Sequence, residues 1–160
     1  MSPIEKQIEN VVDSILQDYE AGRDIDKLDM LRRPDKDVII DVIEKLRRIV
    51  FPGYYKDKNY RIYNAKHNLS MLIEDVMYNL NKQITLVLET SMAPDSAEAE
   101  AQRISLEFFS RIPSVRALAQ TDLEAAYDGD PAATSHDEII FCYPGLFAIT
   151  VYRLAPELYA

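Results

Sequence analysis

At 160 residues with 48% hydrophobic content, the chain is long enough for one domain with a real core. A formal charge of -9 argues against a nucleic-acid partner, because neutralising phosphates takes clustered Lys and Arg, and Lys45, Arg47 and Arg48 here are interleaved with acids. No apolar run approaches a membrane span, Met1–Asn10 is too polar for a signal sequence, and a lone cysteine, Cys142, excludes an internal disulfide, so a cytoplasmic protein with no membrane partner is expected.

Helical periodicity dominates in chain order. "SPIE" at Ser2–Glu5 reads as a capping box with Pro3 at the first helical position. Behind it Ile4, Ile8, Val11, Val12, Ile15, Leu16 and Tyr19 form one apolar stripe. Gly22 and the charged run to Arg33 suit a solvated connector. Pro34 then opens a second helix whose buried face is Val38, Ile39, Val42, Ile43, Leu46, Ile49 and Val50, and "FPGYY" at Phe51–Tyr55 ends it.

A third helix starts around Ala65–Asn68 and carries Leu69, Leu72, Ile73, Val76, Met77, Leu80, Ile84, Val87 and Leu88 on its apolar side. "ITLVLE" within it could alternate as a strand but continues the helical stripe. Asp95 or Ser96 is expected to cap a fourth helix ending near Phe109. "RIPS" at Arg111–Ser114 is expected to break the chain before a further helix to about Tyr127. "DGDP" at Asp128–Pro131 is turn chemistry, "SHDE" at Ser135–Glu138 is a second capping box, and Pro144 starts the last helix. The expected fold is all-α: a single helical domain of about six helices over residues 1–160.

The chemistry-bearing residues do not assemble into an active site. His136 beside Asp137 invites a general-base reading, but neighbours on a helix point about 100° apart, and their place in a first turn suits capping and dipole compensation. His67 reads as a surface or boundary histidine, and two histidines with one distant cysteine have no zinc-site spacing. Asp24/Asp26 and Glu98/Glu100 lack the pattern of a calcium loop. Cys142, after Phe141, is expected to pack as a small hydrophobe. Gly22, Gly53, Gly129 and Gly145 are too scattered for a phosphate-cradling loop. No catalytic residue, cofactor site or metal site is therefore assigned.

The closing segment resembles the end of the N-terminal helical region of bacterial serine O-acetyltransferases. The matching residues are Asp130-Pro131-Ala132-Ala133, Ser135 and Glu138, Tyr143-Pro144-Gly145 and Tyr152-Arg153-Leu154-Ala155, with "FPGYY" as a landmark upstream. The resemblance is sharp over Asp130–Tyr159 and diffuse back to Met1. It departs at Pro156, where the family usually has histidine. That proline should kink or end the last helix, since it lacks an N–H and crowds the carbonyl of Tyr152.

The resemblance implies that the family's catalytic domain, a left-handed β-helix holding a His–Asp pair and most of the acetyl-CoA site, is absent from these residues. The chain would then be a fragment or a catalytically orphaned relative, inactive by itself. It implies a homo-oligomer, L-serine and acetyl-CoA as substrates only with that domain, and cysteine synthase as a partner. It also implies one substrate contact, Asp130, whose carboxylate would hold the serine ammonium; from turn chemistry alone, Asp130 reads as a residue fixing the bend before Pro131. Two rival readings are a free-standing helical interaction module without enzymatic activity and an independent helical enzyme using carboxylates.

Overall fold

The computed structural model describes residues 3–26, 33–55 and 64–159. Among them are six α-helices and no strand: α1 Pro3–Tyr19, α2 Lys36–Val50, α3 Ala65–Leu88, α4 Pro94–Gly129, α5 His136–Cys142 and α6 Pro144–Leu154, with a 3-10 turn over Ala155–Leu158. The chain divides into two compact units, residues 1–33 and 34–160.

In the first unit, α1 begins at Pro3 as expected, while Ser2 of the proposed capping box lies outside the described residues, as does 27–32 of the charged connector. No residue of α1 is buried. Its last turn has no basic residue to balance the helix dipole. Arg23 supplies that charge from beyond the end: Gly22 turns the chain at φ +67, and a guanidinium Nη donates to the Asp18 carbonyl at 3.1 Å while Nε binds Asp26 at 2.9 Å.

In the second unit, Asp35 and not Pro34 starts α2. Its Oδ1 accepts the N–H groups of Asp37 at 2.8 Å and Val38 at 3.3 Å, which satisfies two otherwise orphaned donors. The Asp35 N–H in turn donates to Gln83 Oε1 at 2.6 Å, pinning the start of α2 to α3. The apolar stripe of α2 buries Val42, Leu46 and Val50. The helix stops where expected, at "FPGYY", because Gly53 adopts φ +90, a conformation other residues resist.

Helix α4 corrects two expectations. It begins at Pro94 with Ala93 as its N-cap residue, so neither Asp95 nor Ser96 caps it. It also runs unbroken for 36 residues through Pro113. A proline inside a helix costs about 3 kcal/mol, from one lost hydrogen bond and a crowded carbonyl. Phe108, Ile112, Val115 and Ala119 flank that position and are 6% exposed or less. Each large apolar side chain buried there returns roughly 1.5–3 kcal/mol, so packing on both sides of Pro113 outweighs the break.

Helix α4 packs against α3, α5, α6 and the 3-10 turn. Toward its start the buried residues are small, Ala97, Ala101 and Ser105, and small contact residues let helix axes approach closely. Beyond them the core is Val42, Leu46, Val76, Leu80, Phe108, Ile112, Leu123, Ile139, Ile140, Leu146 and Leu154. At the end of the chain, α6 stops at Leu154 and tightens into the 3-10 turn carrying Pro156, the ending that proline dictates.

Candidate functional site

The turn after α4 organises the residues that the sequence reading singled out. Asp130 caps the C-terminal end of α4 in an extended conformation, φ -117 and ψ 101, and is half-buried. Its carbonyl accepts the Ala133 N–H at 3.0 Å and its Oδ1 accepts the Ala132 N–H at 2.9 Å, so the side chain builds the bend around Pro131. Its Oδ2 accepts the Tyr143 hydroxyl at 2.7 Å, from the residue between α5 and α6. These two bonds stabilise the carboxylate, the Tyr143 hydroxyl first, and hold Asp130 below the usual carboxylate range. The same contact pushes Tyr143 up to about 12, with burial and the nearby charges of Asp130, Glu138 and Cys142 adding to it.

Two further bonds lock the turn. Ser135 caps α5 as expected, its Oγ accepting the Glu138 N–H at 3.1 Å. Glu138 reaches back one residue further than a standard capping box, its Oε2 accepting the hydroxyl of Thr134 at 2.6 Å and its N–H at 2.8 Å. Those contacts hold Glu138 low as well. Asp130 therefore does what turn chemistry assigns it, and is anionic at neutral pH.

The other landmarks of the closing segment are structural clamps. Arg153 in α6 makes a two-pronged bond to Asp122 of α4, Nε at 3.0 Å and Nη2 at 2.9 Å, which fixes α6 across α4. The "FPGYY" segment braces α2 to α5: the Tyr55 hydroxyl donates to the carbonyl of Ile140, and Tyr54 and Tyr55 meet Phe141 edge-on at 5.4 and 6.1 Å. Arg47 completes this brace. It donates to the Tyr55 hydroxyl at 2.8 Å and lies over the rings of Tyr55 and Phe147 at 4.1 and 4.5 Å. Besides Glu44 three residues back, the partners of Arg47 lie eight and a hundred residues away in the chain, which its local spacing does not show.

His136 and Asp137 do not form a pair. The His136 ring meets Tyr127 edge-on at 4.6 Å, whereas Asp137 Oδ1 accepts the Tyr54 hydroxyl at 2.7 Å. That supports the capping reading over a general base. His67 is exposed at the start of α3. Cys142 overturns its expectation: it is exposed at the end of α5, because the two inward positions of that short helix go to Ile139 and Ile140. Among the described residues no cluster of His, Cys, Asp and Glu could hold a metal ion, and no single helix is long and apolar enough to cross a membrane.

No protein-family profile matches the chain. It is similar to the plasmid serine acetyltransferase of Synechococcus elongatus, 32% identical over an aligned length of 134 residues that covers 79% of this chain and 42% of that protein. It is also similar to the serine acetyltransferase of Bacillus subtilis, 43% identical over 42 residues, 26% of this chain and 19% of that protein. The chain thus spans less than half the length of these curated relatives.

Proposed function

Starting from a chain that is related over most of its length to serine acetyltransferases, we propose that it is the helical assembly region of a serine O-acetyltransferase. The observation that carries this is the match over 79% of the chain to a protein of that name. The reaction moves an acetyl group from acetyl-CoA to the hydroxyl of L-serine, in cysteine synthesis. A catalytic domain joined to this one supplies the base, a histidine oriented by an aspartate, and most of the acetyl-CoA site. The described residues hold no such pair, and these 160 residues alone are proposed to be inactive. A cytoplasmic setting and cysteine synthase as a partner belong to the same reading.

Two contributions fall to this chain. The first is Asp130 as the contact for the serine ammonium. Its carboxylate is ionised and rigidly held, and each oxygen takes one internal bond while a carboxylate offers about four acceptor positions in all. Turn-building and substrate contact are therefore compatible. The second is self-association through α1, whose stripe from Ile4 to Tyr19 is 41–65% exposed at each of its apolar positions. That leaves roughly 600 Å² of apolar surface per copy, so two copies joined there bury about 1,200 Å², the lower edge of a stable interface.

The test of the Asp130 role uses the protein with its catalytic domain. Asp130→Asn keeps the Asx-type turn but removes the charge. Catalytic efficiency kcat/KM for serine should fall about ten- to a hundredfold, the worth of a charge-assisted bond to an ammonium, while KM for acetyl-CoA hardly moves. Free cysteine, which shares the ammonium, should inhibit less well. Unchanged serine kinetics with a lowered Tm would leave Asp130 a turn residue only.

A further inference from the structure

A cleft of about 300 Å³ lies where the C-terminal end of α2, the middle of α4 and the start of α5 meet. In a chain with 27 acidic and 18 basic residues, no carboxylate lines it. Its polar lining is Arg116, Gln120 and His136, with the Tyr54 ring at one side. Three neighbouring acids are already engaged: Asp122 by Arg153, and Asp137 and Glu124 by two residues of the cleft wall, the Tyr54 hydroxyl at 2.7 Å and the Gln120 amide at 2.8 Å.

Arg116 is the informative member. Its Nε donates to the carbonyl of Val50 at 3.1 Å, so it caps the C-terminal end of α2 and its guanidinium is held in place. Arg23, Arg47, Arg103, Arg111 and Arg153 each pair with a carboxylate, and Arg116 does not. Among the described residues its two Nη groups have no acceptor. A fixed guanidinium edge with two N–H groups free is the geometry that takes a planar carboxylate in a two-pronged bond. The remaining wall is apolar, from Phe51, Leu123 and Ile140, each 8% exposed or less. The volume sits at the small end of ligand sites.

We propose that this cleft binds a small organic carboxylate, the carboxylate on Arg116 with Gln120 and His136 beside it and a short apolar tail against Phe51, Leu123 and Ile140. Bare phosphate fits less well, because one guanidinium matches a planar anion and an apolar wall contributes nothing to a fully hydrated one. The site does not depend on the acetyltransferase reading and shares no residue with the Asp130 turn.

The experiment is a heteronuclear NMR titration of the chain with butyrate and, separately, with inorganic phosphate at equal ionic strength. Butyrate should give saturable shifts at the Gln120 and His136 amides and bind several-fold tighter than phosphate. Arg116→Gln should weaken it roughly tenfold or more. Because that change also uncaps α2, His136→Asn serves as a second variant that leaves the Val50 contact intact and should weaken butyrate about threefold. Asp130→Asn should leave butyrate binding unchanged, which separates this site from the proposed serine contact. Shifts that grow linearly, that persist undiminished in both cleft variants, or that phosphate reproduces at equal affinity would overturn the assignment.

Discussion

Helices α1 and α4 make an instructive pair. In sequence α1 has the cleaner pattern, seven apolar residues from Ile4 to Tyr19 on one stripe, yet it buries none of them. The pattern of α4 is interrupted by Pro113 and diluted by small and polar residues, yet it buries eight positions and carries the core. The reason is residue type and cover. The buried positions of α4 recur every three or four residues on one face, but Ala97, Ala101, Ser105 and Ala119 there are small or polar while Leu106 and Leu118 stay exposed, which blurs the stripe. What buries that face is the packing of α3, α5, α6 and the 3-10 turn. A sharp stripe marks a face and does not say what covers it.

The two helices should differ most at the centre of α4. Phe108 is 1% exposed, and Phe108→Ala should cost about 3–5 kcal/mol in urea unfolding, from lost transfer energy and the cavity left behind. Truncating Ile8, 59% exposed in α1, should leave the unfolding of residues 34–160 within about 0.5 kcal/mol of the parent. Equal losses at the two sites would erase the distinction between the helices. Next in size is Pro113. Pro113→Ala restores a backbone N–H in an exposed position of α4 and should stabilise by up to about 3 kcal/mol. A destabilised Pro113→Ala would mean that the packing of α4 needs the distortion that proline imposes.

The smallest effects concern pH at the end of α4. Asp130 and Glu138 sit below their usual values of 3.8 and 4.5, so their contribution is fully present above those values and is lost as pH falls through the lower folded ones. Tyr143 has the opposite sign. Raised from 10.0 to about 12, it contributes below pH 10 and loses that contribution as pH climbs toward 12. Tyr143→Phe should therefore flatten the alkaline limb of a Tm–pH profile. It should also weaken the acid limb, because the Tyr143 hydroxyl is the main cause of the Asp130 shift. A profile unchanged at both ends would contradict the Tyr143–Asp130 contact.

Much of this fold is legible in local chemistry. The centres of the α2 and α3 stripes, the Gly53 turn, the Ser135 cap and the Pro156 ending depend on neighbours a few residues apart and lie where spacing and turn residues put them, although Leu69 and Val87 at the ends of the α3 stripe stay exposed. Readings fail where distant packing decides. Pro113 ends a helix by propensity, but the core on both sides of it keeps α4 intact. Cys142 is apolar by its neighbours, but a seven-residue helix has only one inward face and Ile139 and Ile140 occupy it. At the candidate site, the turn role of Asp130 is legible because an aspartate before proline builds such a bend from its own neighbours. Tyr143 as its hydrogen-bond donor is not, since thirteen residues and a helix separate them. Arg47 and Arg116 escape notice for the same reason: Arg47 lies over Phe147 of α6 and Arg116 bonds Val50 of α2.

Self-association is the use proposed for the exposed stripe of α1. Multi-angle light scattering of the chain at high micromolar concentration tests it, with Ile8→Lys/Ile15→Lys as the comparison, a pair that keeps helix propensity and charges the stripe. The expected result is a dimer or higher oligomer for the parent, a shift toward monomer for the variant, and an unchanged Tm for residues 34–160. A parent that stays monomeric at that concentration, or a variant that assembles as fully as the parent, would contradict it.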